Sequence, residues 1–321
     1  MLLEKAWAKL HGSYCMIRKG SCLSAMPHLT GAPSTQIDHN FVEDLDEFWK
    51  MIADADSKNF VITGSTNETD FALATRKKSN IVSGRSFGLL SAHQVKAGGE
   101  TVRLFKMRNP FGKSVWSGDW STTSPKWTPK LKKQLGIEEG DDSDDTDVFF
   151  IALPDYVQHF RCSTINYVSS ARVSKNVVTH EYDFTQDDDS NKPYQIATFN
   201  IALQKQIDLG AETFAISINQ QGDRLQTYRS LGPDRYEPAR FNIILLHHPS
   251  GNGPPTIMQV EQANWFQTSL VVRKSDAMQT MPRGNYSVVM IAFWNQVAYE
   301  NPDYQRIRIN VHSPCMVNLT S

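Results

Sequence analysis

After Tyr167 the apolar residues of this chain alternate, and no helical period returns before the C-terminus. Phe199, Ile201 and Leu203 take every second position. So do Phe214, Ile216 and Ile218, then Phe241, Ile243 and Leu245, then Ile307, Ile309 and Val311. In a strand, successive side chains point to opposite faces, so each run offers one apolar face and one polar face. Gly/Pro segments such as Pro249–Pro255 and Pro282-Arg283-Gly284 punctuate the runs. Many short alternating strands between such turns fold as an antiparallel β-sandwich, which sets a domain of residues 168–321.

The first half reads differently. Leu3–Leu10 is a short amphipathic helix. A second helix is predicted after Asn40, with Glu43 completing a capping box. Phe41, Leu45, Phe48 and Ile52 form its stripe, widened by Val42 and Trp49, and a stripe of this kind serves core packing. Strands are predicted at Phe60–Gly64, Phe87–Ala92 and Thr101–Arg108, the last two joined by a turn at Gly98-Gly99. His93 and Asn109 then fall at or near the ends of neighbouring strands. An acidic stretch, Glu138–Asp147, precedes the apolar run Val148–Ile151 and a short helix at Asp155–Phe160.

Charge and composition exclude several classes. A net charge of −1 over 321 residues, with Lys and Arg scattered, gives no footprint for nucleic acid or an anionic membrane. No run approaches the ~20 apolar residues that span a bilayer. The charged start, Met1–Trp7, is not a signal peptide, so the sequons at Asn67 and Asn318 are expected to be idle. Four cysteines without a C-x-x-C pair make no disulfide framework. A reducing cytoplasmic setting is expected.

A thiol protease needs a thiolate, an imidazole to carry the proton and a carboxamide or carboxylate to orient the imidazole. Gly88–His93 leads into the predicted hairpin and Met107–Gly112 closes it, which would set His93 near Asn109. Sixteen residues of spacing alone would mean little, but the surrounding segments add to it. Leu3–Tyr14 resembles the "LEKAYAKLHGSY" helix and turn of the calpain family of cysteine proteases, and Leu29-Thr30-Gly31 its "LTGG". Gly88–His93 resembles the family's approach to its catalytic histidine, and Arg108–Lys113 its "RNPWG". Val115–Trp120 followed by Ser124–Trp127 resembles "EWKGDWSD…S..W", Asp147–Tyr156 resembles "DGVFWMSFEDF", and Met281–Tyr286 resembles the "LPPGEY" turn of the family's β-sandwich.

The resemblance implies an α+β chain: the β-rich half of a papain-like cysteine protease core over residues 1–167, then a calpain-type β-sandwich over 168–321. It implies His93 as general base, Asn109 as its orienting residue, and Phe111 and Trp116 as site wall. Phe111 stands where the family has tryptophan, which keeps apolar cover but loses the indole N–H.

Other departures bear on mechanism. The family's nucleophile lies in a Gln…Gly…Cys-Trp segment upstream of the "LEKAYAKL" helix, and this chain starts at that helix. Cys15 and Cys22 precede His93 by only 78 and 71 residues, against roughly 130–150 in papain-type order. Cys162 and Cys315 follow it. The turn at Ala97-Gly98-Gly99 lies nearer His93 than Asn109, so a bulge would be needed for the two to face each other. Val115, Thr122 and Val148 stand at places where calcium-dependent relatives carry acidic side chains. Asp144, Asp145 and Asp147 are the remaining calcium candidates, though the stretch suits a solvated loop better and no cofactor is expected.

The expected function is a non-catalytic binding or scaffold module of calpain type, working with a protein partner or in an assembly. An apolar face is expected at Phe41, Phe48 or the tryptophans. Phospholipid contact through the sandwich is a weaker expectation. The alternative is the C-terminal portion of an active intracellular endopeptidase, completed by an upstream segment or a second chain.

Overall fold

The computed structural model describes residues 2–18, 20–67, 81–112, 116–137, 147–168, 176–184, 194–220, 239–250, 253–263, 267–275, 277–294 and 305–321. The chain divides into two compact units, one of Gln36–Ser169 and one of Met1–Thr35 with Ser170–Ser321. The leading helices, α1 (Leu2–Leu10) and α2 (Cys22–Thr30), therefore group with the C-terminal strands. Ser21 caps α2 by accepting from the Ser24 N–H, and Gly31, left-handed at φ 72°, ends it.

The Gln36–Ser169 unit is built on one sheet. Its strands are β1 (Ser34–Asp38), β2 (Val61–Ser65), β3 (Ser86–Ala97), β4 (Glu100–Arg108), β5 (Val148–Ala152) and β6 (Cys162–Asn166), in the order β1-β6-β2-β3-β4-β5. The β3–β4 hairpin turns at Gly98 and Gly99, with φ of 60° and 90°, the left-handed region glycine tolerates. Three helices accompany the sheet: α3 (Leu45–Ser57), α4 (Pro129–Leu135) and α5 (Leu153–His159).

The expected cap of α3 shifts by four residues. Asn40 lies in a 3-10 turn, and Asp44 caps the helix, its Oδ1 accepting from the Asp46 and Glu47 N–H groups. A carboxylate accepting two N–H groups at a helix start also favours the dipole. Phe48, Trp49 and Ile52 are buried as the stripe implied, whereas Phe41, ahead of the helix, is 82% exposed.

The centre of this unit is aromatic. Tyr156 lies 4.9 Å from Phe105, 4.7 Å from Phe160 and 5.1 Å from His39, centroid to centroid. Its hydroxyl meets Ser163 Oγ at 2.7 Å, and Ser163 Oγ meets His39 Nε2 at 2.9 Å. Gly64 on β2 leaves room for this ring, since a Cβ there would stand 2.5 Å from the Tyr156 hydroxyl oxygen and 2.9 Å from its ring. Gly64→Ala is therefore expected to cost about 1–3 kcal/mol through overpacking, read as a lower melting temperature of this unit. An unchanged melting temperature would contradict that packing.

The second unit carries β7 (Asn176–Asp183), β8 (Tyr194–Leu203), β9 (Ile207–Asp208), β10 (Phe214–Asn219), β11 (Arg240–His248), β12 (Thr256–Ala263), β13 (Gln267–Val272), β14 (Thr280–Met281), β15 (Gly284–Phe293), β16 (Arg306–Ser313) and β17 (Val317–Thr320). They form sheets of order β13-β10-β16-β7 and β12-β11-β15-β8-β17, with β9 and β14 paired separately. The pairings within both large sheets are antiparallel. Each sheet turns one row of side chains into a single buried cluster. Phe199 and Ile201, Phe241 and Ile243, and Tyr286 and Val288 come from one sheet; Ile216, Ile218, Ile307 and Ile309 come from the other. The alternation seen in the sequence thus becomes a shared core. The chain is β-rich with few helices, and no helix among the described residues is long and apolar enough to cross a membrane.

Candidate functional site

The hairpin register decides how the expected site residues stand. Gly88 pairs with Arg108, a bulge falls between Leu89 and Ser91, and His93 pairs with Leu104. Asn109 follows Arg108 at the end of β4, five residues beyond Leu104. At ~3.4 Å per residue, that sets His93 and Asn109 about 17 Å apart along the strand. The bulge shifts pairing by one residue, which is too little to bring them together. His93 sits in mid-strand rather than at a strand end.

Each of the two has its own surroundings. His93 Nε2 meets Ser91 Oγ at 2.7 Å, because residues two apart on a strand share a face. Asp56 Oδ2 accepts the Ala92 N–H at 2.9 Å. Burial holds the His93 imidazole below its ordinary pKa; Asp56 opposes the shift and Lys106 adds to it. The ring is therefore mostly neutral near pH 7, an acceptor for a proton with a serine as its neighbour. Asn109 is 4% exposed, and its Oδ1 accepts the Phe111 N–H at 3.1 Å, a local turn bond that shapes the Asn-Pro corner. Its own N–H donates to the Asp147 carbonyl at 2.7 Å.

Toward Asn109, β3 continues backwards through Phe87 and Ser86 to Arg85. The Arg85 guanidinium lies 4.5 Å over the Phe111 ring, which is 62% exposed. Arg85 is anchored through its backbone, its N–H donating to Thr66 Oγ1 at 3.0 Å and its carbonyl accepting from the Thr66 N–H at 2.9 Å. The side chain that β3 sends toward the Asn109 corner is thus Arg85, stacked on Phe111. Sequence reasoning missed it, because the register that sets Arg85 across from Phe111 includes a bulge at Leu89/Ser91 that only the structure shows.

Trp116 is buried, its indole N–H donating to the Asp119 carbonyl at 2.7 Å, and its ring meets His159 edge-on at 5.2 Å. Trp120 and Trp127 also pack inward, 4.9 Å apart, near Phe150. Trp116 and Trp120 thus belong to the core, and Trp127 is partly buried against it. Of the calcium candidates, Asp147 accepts from Arg108 Nε at 2.7 Å, and Asp144 and Asp145 lie outside the described residues. Among the described residues no three His, Cys, Asp or Glu side chains gather to hold a metal ion.

Cys162, the one cysteine of this unit, is buried and pairs with Ser65, which in turn pairs with Ser86. Ser86 lies seven residues before His93, so Cys162 stands roughly 25 Å from His93 across the sheet.

The β-rich unit holds the Asn-Pro corner, the inward-packed tryptophans and the histidine-bearing hairpin on which the sequence resemblance rested. Residues 1–167 match the calpain family cysteine protease profile, more than half of the chain, and the protein belongs to that family. Human calpain-9 is 32% identical over 167 residues, covering 50% of this chain and 23% of that protein. Rat calpain-9 is 28% identical over 190 residues, 57% of this chain and 26% of that protein. The calpain-type cysteine protease DEK1 of Zea mays is 31% identical over 168 residues, 50% of this chain and 7% of its own length. The chain thus spans about a quarter of the calpain-9 proteins it matches. Against a clostridial cysteine protease, Cwp84 after propeptide cleavage, the TM-score is 0.24 at 8% identity, over 87% of this chain and 58% of that one.

Proposed function

We propose that this calpain-family chain is a non-catalytic binding or scaffold module: the β-rich half of a papain-like core, followed by a calpain-type β-sandwich. The observation that carries the reading is the register of the β3–β4 hairpin. It gives His93 a serine for a neighbour, leaves Asn109 about 17 Å along the strand, and brings Arg85 to the Asn109 corner. A guanidinium stays protonated at any working pH and cannot take a proton from a thiol. An imidazole without its orienting amide loses the fixed tautomer that acyl transfer uses.

On this reading the chain uses no cofactor, works in the cytoplasm and acts through a protein partner. Among the described residues of the Gln36–Ser169 unit, Phe41 and Phe111 are exposed aromatic residues that such a partner would cover. Phospholipid contact through the sandwich is a secondary role.

A peptidyl epoxide or vinyl sulfone that traps catalytic thiolates is expected to leave the purified chain unlabelled. Labelling that follows the peptide sequence of the probe and disappears in His93→Ala would overturn the reading. That result would favour the second one, in which the chain is part of an active calpain-type endopeptidase completed by an upstream segment or a second chain. The observation that favours this alternative is the His93 ring itself, held below its ordinary pKa and able to accept a proton.

A further inference from the structure

The outer face of the β13-β10-β16-β7 sheet is polar, and a groove of about 820 Å³ opens between it and the C-terminal turn of α2. It lies wholly within the unit formed by Met1–Thr35 and Ser170–Ser321. Its floor is β16, where Arg306, Arg308, Asn310 and His312 share one face because they are two residues apart. From Arg306 to His312 is about 20 Å at ~3.4 Å per residue, the length of about six extended residues. The volume is in the range of ligand clefts.

Charge is laid out in rows across this floor. The outermost strand, β7, brings Glu181 opposite Arg308 and Asp183 opposite Arg306. On the other side of β16, β10 brings Asn219 opposite Arg308 and Ser217 opposite Asn310, with no carboxylate. Glu181 holds Arg308 through one Nη2 contact of 2.5 Å, in a pair that is 73% and 58% exposed. Exposed pairs of this kind contribute little and exchange readily. The Arg308 guanidinium offers five donors in a fork suited to a second carboxylate. An anion arriving between β16 and β10 would meet Arg308 and the Asn219 amide, and β10 itself sets no carboxylate in its way.

The far end of the groove carries a second, independent sign of a ligand. His312 is 4% exposed, its Nε2 meets Ser217 Oγ at 3.1 Å, and its buried Nδ1 has no hydrogen-bond partner among the described residues. Ser217 also accepts from Asn310 Nδ2 at 3.4 Å, and Asn310 accepts from Thr179. An orphaned buried nitrogen costs stability unless something satisfies it. His28, on the facing turn of α2, lines the opposite wall.

We propose that this groove binds an extended acidic peptide, with a side-chain carboxylate on Arg308 and Asn219 and a hydrogen-bonding side chain reaching the Ser217–His312 end. The incoming carboxylate takes the place of Glu181 on Arg308. This deepens the binding reading above by naming where and what the module holds.

The test uses the full chain and a fluorescein-labelled six-residue peptide of Glu, Gly and Ser with blocked ends, followed by anisotropy at low salt. Binding about tenfold tighter than that of the peptide with Gln in place of Glu is expected. Arg308→Ala should remove that difference. Glu181→Gln should tighten binding, because it removes the competing carboxylate; both side chains are exposed, so neither change threatens the fold. Equal binding of the Glu and Gln peptides, or weaker binding in Glu181→Gln, would sink the proposal. So would displacement by about 10 mM inorganic phosphate, which would mark a plain anion site without need of a peptide. A chain that ignores this peptide and also ignores the thiol-trapping probe loses the groove but remains a non-catalytic module.

Discussion

Lowering the pH from about 7.5 to 5 is expected to cost each unit about 2 kcal/mol of stability through its most deeply buried histidine, and the half-buried His93 and His159, also held below their ordinary pKa, add to the loss in the Gln36–Ser169 unit. The deeply buried histidine of that unit is His39, 5% exposed, with Nδ1 on the Phe160 carbonyl at 2.8 Å and Nε2 on Ser163 Oγ at 2.9 Å. Burial lowers its pKa to about 4, against partial opposition from the Phe160 bond and Asp38. In the other unit it is His312, whose burial also lowers its pKa to about 4.

The sign follows from proton counting. The unfolded histidine titrates near 6.5, so between about 4 and 6.5 the unfolded chain binds the proton and the folded one does not. Stability therefore rises with pH through that window, is full above it, and is lost as the pH falls toward 4. Asp155 and Glu261, each held above its ordinary range by burial, offset part of the loss at the acid end.

For units of this size, 2 kcal/mol corresponds to roughly 4–8 °C of melting temperature. Calorimetry across the range should show both transitions falling. His39→Asn should reduce the pH slope of one transition, leaving the share of His93 and His159, and His312→Asn should flatten the slope of the other. Flat melting temperatures from pH 7.5 to 5 would mean that neither ring is buried as described.

The second large effect is expected at Tyr156. The ring is fully buried among Phe105, Phe160 and His39, and its hydroxyl meets Ser163. Tyr156→Ala removes a large aromatic from a packed centre, a change that costs about 3–5 kcal/mol. It also deprives Ser163 Oγ of one of its two partners, the other being His39 Nε2. Tyr156→Phe keeps the ring and isolates the hydroxyl, at about 1–2 kcal/mol. Denaturant melts of the two variants separate the terms. The order is fixed by the packing: the alanine variant must lose more. Equal losses would assign the whole effect to the hydrogen bond and none to the ring.

These two effects meet at Ser163, so they should not add. Ser163→Ala leaves the Tyr156 hydroxyl and His39 Nε2 without their shared partner. A double variant with Tyr156→Phe is expected to cost less than the sum of the single changes. A fully additive pair would separate His39 from Tyr156 energetically and weaken the picture of one polar thread through an aromatic core.

Local pattern in the sequence determined much of this protein. Alternation at Phe199–Leu203, Phe241–Leu245 and Ile307–Val311 named the inner rows, because a period of two leaves one face to bury. Gly98-Gly99 named the hairpin, because glycine takes φ of 60° and 90° without strain. The motifs from Leu3 to Tyr156 resembled the family whose profile residues 1–167 match. Tertiary structure decided the rest. The helix cap moved from Asn40 to Asp44, because both residue types can cap and only the path of the chain decides where the helix begins. Which side chain reaches the Asn109 corner depended on a one-residue bulge at Leu89/Ser91 and on counting pairs across a turn. Composition and spacing along one strand do not carry that register. The same holds for His39 and His312: a histidine has no pattern that announces burial, and its depressed pKa exists only once the neighbouring chain has taken the water away.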